Sequence, residues 1–195
     1  MRKLYLAGLT FLAAVLWIGV AGSAPDLAPS LRYLHPTVVE YTPRGTAAQW
    51  FAEMRQFCNP VEVDTRHDWT PPPTAWEGTA FSAACFSLAG NTDRARELID
   101  GLQGDERWQA AGIVFNVGHS VADAGNDRAA GPIMELVVEF WPNHYMALYH
   151  AGMARLGLGD EAAAADYLER FLEHYSPDDG WTSSARTALE EIAGR

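Results

Sequence analysis

Small and apolar residues recur along the second half of the chain with a period near 34. Gly90, Gly125 and Gly159 stand 35 and 34 residues apart, and each is followed by a polar residue: Asn91, Asn126, Asp160. Ala83, Gly118 and Gly152 are each followed twelve residues later by an alanine: Ala95, Ala130, Ala164. Around these marks the apolar positions fall at helical spacing. In the last unit Leu148, Ala151, Gly152 and Arg155 share one stripe, and Ala164, Leu168 and Phe171 share the facing one. The pattern predicts helical hairpins. Glycine supplies a positive φ past the end of the first helix, and the polar residue after it caps the second. One hairpin cannot bury its apolar face alone, so the units must stack. Three units are predicted, at about 76–107, 111–144 and 145–178. Residues 181–193 add an amphipathic helix, with Trp181, Ala185, Ala188, Leu189 and Ile192 apolar, and this reads as the cap of the stack.

These hairpins resemble the tetratricopeptide repeat (TPR). The carrying features are a large-x-x-small-Gly first helix, Gly-Asp at the turn, and alanine followed four places on by an apolar residue. The stretch "YMALYHAGMARLGLGDEAAAADYLERFLEHYSPDDG" is the closest match, although Pro177 falls one place late. The second unit has Gly118, Gly125, Ala130, Met134 and a well-placed Pro142. The first has Ala83, Gly90, Ala95 and Ile99 but no proline, and Trp76 stands where a solvent-side residue is commoner. The resemblance covers about 120 residues and implies an all-α, right-handed solenoid that docks proteins.

The N-terminus is Met1-Arg2-Lys3 followed by an uncharged apolar run from Leu4 to Ala21. Two readings compete for residues 1–24: a cleaved secretory signal and a retained single transmembrane helix. The cleavage site is poor, because Pro25 follows the best candidate, Ala24, and no cysteine follows the run to make a lipoprotein signal. The retained anchor is the expectation, with residues 4–21 in the bilayer. Arg2 and Lys3 on the cytoplasmic side put the rest outside. Residues 25–73 form a Pro-rich, semi-rigid arm with one helix at 46–58, whose stripe is Trp50, Met54 and Phe57 beside Phe51 and Cys58. After Pro60 an irregular connector leads through Pro71-Pro72-Pro73 to Thr74, a candidate cap, and the repeat domain occupies 74–195.

The formal net charge is −11, and Lys3 is the only lysine. That balance opposes binding to nucleic acid or anionic lipid; it serves solubility or a basic partner. The two cysteines, Cys58 and Cys85, are 27 residues apart. An oxidising compartment permits a disulfide between them, and two buried thiols on neighbouring helices are the other reading. No Cys-x-x-Cys or haem-attachment spacing occurs.

Catalytic chemistry has no motif here. None of the six histidines has metal-ligand spacing, and His144 and His150, six apart, fall on different helix faces. His119, Ser120 and Asp123 do not form a nucleophile group, since adjacent residues on a helix diverge by about 100°. The chain carries no glycine-rich phosphate loop after a strand, and no catalytic residue, cofactor or metal is assigned.

By the repeat register the concave face holds Glu77, Ala80, Ala84 and Ser87, then Gly112, Phe115, His119 and Ala122, then Met146, Tyr149, Met153 and Leu156. With almost no Arg, Lys or Asn, this face is not suited to clamping a peptide carboxylate. It is either filled by the chain's own arm or its 46–58 helix, or it is an apolar docking site. Partner-binding candidates are Tyr33, Tyr41, Phe115, Tyr149 and Met153. The expected function is a non-catalytic, membrane-anchored periplasmic scaffold in a bacterial inner membrane, an accessory subunit of a larger membrane protein complex. Over its whole length the chain also resembles an accessory subunit of a bacterial photosynthetic reaction centre with its antenna. That resemblance implies a structural role there, because the apolar run has no pigment-binding histidine. A secreted, soluble periplasmic adaptor of envelope assembly is the alternative.

Overall fold

The computed structural model describes residues 45–194, and the anchor, the first part of the arm (25–44), Tyr33 and Tyr41 lie outside them. Every regular element among the described residues is helical. A first helix, α1 (Ala47–Met54), runs into a 3₁₀ turn at Arg55–Phe57. Thr46 and Gln49 cap it reciprocally, and Trp50, Phe51 and Met54 are buried. Three hairpins follow: α3 (Trp76–Leu88) with α4 (Thr92–Asp100), α5 (Glu106–Asp123) with α6 (Asp127–Phe140), and α7 (Tyr145–Gly157) with α8 (Glu161–His174). The last helix, α9 (Gly180–Ala193), packs mainly on α8 and touches α7.

The three hairpin turns are built alike. Gly90, Gly125 and Gly159 all have φ +79°. The next residue's N–H reaches back to the carbonyl of Phe86, Val121 or Arg155, closing the same αL turn three times. The side chains of Asn91, Asn126 and Asp160 then accept from the backbone N–H of Arg94, Ala129 and Ala163. Turn and cap are thus one nine-residue device, and it fixes the antiparallel entry of each second helix.

Close helix approach depends on residues without a side chain. A Cβ on Gly118 would lie 2.6 Å from Ile133 Cγ2, and one on Gly152 would lie 2.7 Å from Leu168 Cγ. One continuous core runs through the stack from Trp50 to Ala188. Between the second and third hairpins, Arg155 on α7 grips Glu135 on α6 through two parallel hydrogen bonds, one of them Nη2 to Oε2 at 2.7 Å. That bidentate, half-buried pair fixes how α7 sits on α6.

Two details differ from the expectation. The connector after Pro60 contains a helix, α2 (Val63–Trp69). It has only one buried apolar residue, Val63, so no periodicity announces it. Tertiary contacts hold it instead: His67 Nε2 lies 3.1 Å from Ser82 Oγ, Arg66 sits over the Phe57 ring, and the Trp50 indole donates to the Thr70 carbonyl at 2.8 Å. The second difference is the start of α3, where Ala75 takes the N-cap position without a side-chain cap, so Thr74 does not cap.

Candidate functional site

Cys58, just past the 3₁₀ turn, and Cys85 on α3 form a disulfide, with Cα atoms 4.9 Å apart. Both are buried. The bond fastens α1 to the first hairpin, and the 46–58 helix lies against α3 rather than across the later hairpins.

The first helices of the second and third hairpins carry the remaining candidates. Phe115 on α5 is half-buried and stacked on His119 at 4.8 Å, with His144 ahead of α7 at 4.0 Å. Tyr149 is not open to a partner. It is 7 % exposed, wedged between Phe171 and Trp181 with ring centroids at 5.2 and 4.9 Å. Its phenol is pushed above the ordinary range by burial, against which a hydrogen bond with Ser184 of the cap works. Register counting could not see this, because the covering residue belongs to the capping helix. Met153 is half-buried and, with Leu156, lines a cleft of about 270 Å³ against Ser183, Ser184, Thr187 and Glu191 of α9. A larger cleft of about 490 Å³ runs between second helices and is charged, with Arg96, Glu135, Glu139 and Arg170 in its wall.

Histidines gather where the first helices meet. His119 Nδ1 is 3.4 Å from Asp123 Oδ2 one turn along α5. His150 on α7 is 3 % exposed, and its Nδ1 is 2.8 Å from Asp127 Oδ1 at the start of α6. The two imidazoles are 5.1 Å apart and steeply inclined. One donor atom each of His119, Asp123 and His150 lies within 4.8 Å of the others. The Nε2 atoms of both histidines are buried with no hydrogen-bond partner. Spacing rules work within one helix, whereas these histidines stand 31 residues apart on two helices, so no motif shows them. Ser120 is turned away: its hydroxyl donates to the Val117 carbonyl and accepts from Arg55.

Two other imidazoles set an acid limit. Burial pushes His67 and His144 below the ordinary range, and His119 adds to the effect at His144. His144 must also stay neutral at Nδ1 to accept the Ala147 N–H as cap of α7. A depressed histidine pKa means that the unfolded chain takes the proton more readily. Stability is therefore full above the unfolded value of about 6.5, and it falls as pH drops through that value toward the folded one. The thermal midpoint is expected to be lower at pH 5.5 than at pH 7.5, and replacing both His67 and His144 with glutamine should flatten the difference.

Residues 146–177 match the family model for the tetratricopeptide repeat. The match covers the third hairpin, from the first turn of α7 to the exit of α8. It suggests a role in protein–protein interaction. No curated protein and no solved structure matches the chain.

Proposed function

We propose that the chain is a non-catalytic scaffold that docks onto a larger membrane protein complex through its helical-hairpin domain. The observation that carries this is the face of first helices. In the third hairpin Met153 and Leu156 of α7 line an open cleft against the cap, and that hairpin is the one matching the tetratricopeptide repeat. A cleft with an apolar wall on α7 and a largely polar wall on α9 suits an amphipathic partner helix or extended segment.

The setting we propose is the periplasmic side of a bacterial inner membrane, with residues 4–21 as a retained single-pass anchor. A disulfide joining α1 to α3 supports an oxidising compartment. No helix among the described residues is long and apolar enough to cross a membrane, so the anchor would be the segment ahead of them. A photosynthetic reaction centre with its antenna is the candidate complex, a choice that rests on the sequence reading alone, with no matching protein behind it.

Two measurements test the proposal. Native protein extracted in mild detergent should copurify with integral membrane subunits, identifiable by mass spectrometry. Replacing Met153 and Leu156 with glutamate should cut that recovery about fivefold or more, the ~1 kcal/mol scale of a residue that matters at an interface. Both side chains also pack against the core, so the thermal midpoint is expected to fall, and recovery is compared at a temperature where the variant is folded. Unchanged recovery would exclude this face as the docking surface. The intact mass should include residues 1–24, give or take the initiator Met. A mature form starting near Ser23 or Ala24 would reject the anchor and favour the secreted, soluble adaptor.

A further inference from the structure

We propose that His119, Asp123 and His150 bind one divalent transition-metal ion, with zinc the best match, and that Asp127 holds His150 in the binding tautomer. This inference is independent of the docking reading above. Three donor atoms lie within 4.8 Å of one another, two nitrogens and one carboxylate oxygen. Two imidazoles and a carboxylate suit zinc and its first-row neighbours, whereas calcium and magnesium call for oxygen ligands.

The stronger observation is His150 itself. The large majority of buried side-chain polar atoms have a hydrogen-bond partner, and each one without calls for an explanation. His150 is 3 % exposed, its Nδ1 is engaged by Asp127, and its Nε2 is buried and unpartnered. With Asp127 accepting from Nδ1–H, the lone pair sits on Nε2. A carboxylate behind the imidazole of a metal ligand is the usual means of fixing ring orientation and raising basicity. His119 shares the second feature, a buried and unpartnered Nε2. Its flank is covered by Phe115, and His150 is flanked by Trp181, so the ion would be partly shielded from water. A tetrahedral zinc site has ligand atoms about 3.3 Å apart, from bond lengths near 2.0–2.1 Å. Binding therefore draws the three donors together by small side-chain rotations. The ion then links α5 to α7 across the boundary between hairpins, next to the cap, and leaves one coordination position for water or a partner's side chain.

The test is calorimetric titration of zinc chloride into the full chain in mild detergent after chelator treatment, with the thermal midpoint followed in parallel. The expected result is one ion per chain and a raised midpoint, because the ion binds only the folded arrangement. His119→Gln and Asp123→Asn, at half-buried and exposed positions, should keep the fold and weaken binding by at least about 100-fold. Asp127→Asn leaves all three ligands in place and should weaken binding by about 10- to 100-fold. Absence of a saturable one-ion phase in the wild-type chain would overturn the proposal. So would zinc binding of equal affinity in His119→Gln, which would place the ion elsewhere on the acidic surface.

Discussion

Replacing both Cys58 and Cys85 with alanine is expected to lower the unfolding free energy by about 3.5 kcal/mol. The bond closes a segment spanning 27 positions, and loop-closure entropy on that scale gives about this figure. For a domain of this size it corresponds to roughly 7–14 °C in thermal midpoint. Alanine is the better probe, since both sites are buried and apolar, and serine would leave two hydroxyls in search of partners. The loss should not spread evenly. Helix α1 touches the rest chiefly through α3, and α2 is held by Val63 in the core and by a few contacts to Ser82, Phe86, Trp50 and Phe57. Without the bond these two helices open first. Hydrogen exchange should accelerate at the buried Trp50, Phe51 and Met54 amides and stay slow in α7 and α8. Equal acceleration throughout would mean that α1 belongs to the same cooperative unit as the third hairpin. An unchanged midpoint would mean that the bond adds nothing to stability.

What could be read without coordinates was whatever the chain writes locally and repeats. The turn at Gly159-Asp160 is local: a glycine at φ +79° and a cap that accepts from Ala163 N. Because the same device recurs at Gly90-Asn91 and Gly125-Asn126, three weak signals reinforce one another. The helix at α2 carries no such device and depends on contacts made from elsewhere in the chain. The start of α5 at Glu106, some five residues before the expected unit, is hidden for a related reason. Its first turn pairs Trp108 with Trp141, a partner 33 residues away.

The candidate site divides along the same line. Met153 and Leu156 are placed by register on one helix, and they do line a cleft. Tyr149 lies on that same register but is closed off by Trp181, a residue 32 positions further on. The cluster of His119, Asp123 and His150 needs α5 and α7 to lie side by side, which is a property of the stack and of no segment. Stacking also explains why Asp127, the first residue of α6, stands behind His150: the turn after Gly125 delivers it there. Local chemistry sets the turns, the turns set the stack, and the stack makes the site.

Gly152→Leu tests the middle step of that sequence. A Cβ alone at residue 152 would stand 2.7 and 2.8 Å from Leu168 Cγ and Cδ2, and 3.3 Å from Tyr167 Cβ. Leu168 is fully buried, so it cannot swing into solvent to make room. The added isobutyl group forces α7 and α8 apart. Overpacking of a tight core costs about 1–3 kcal/mol, and a helix crossing with no side-chain space belongs at the upper end, roughly 6–12 °C in midpoint for a domain of this size. Because α7 also carries His150 and the Arg155 grip on Glu135, the histidine cluster should loosen with it. Gly157 supplies the control on the same helix. A Cβ there meets nothing within 4 Å, and its φ is not positive, so Gly157→Ala should stabilise the chain by about 0.5–1 kcal/mol through reduced freedom of the unfolded state. Opposite signs for the two variants, five positions apart, locate the effect in the α7–α8 contact. A Gly152→Leu midpoint equal to that of wild type would show that the hairpin does not close at that residue.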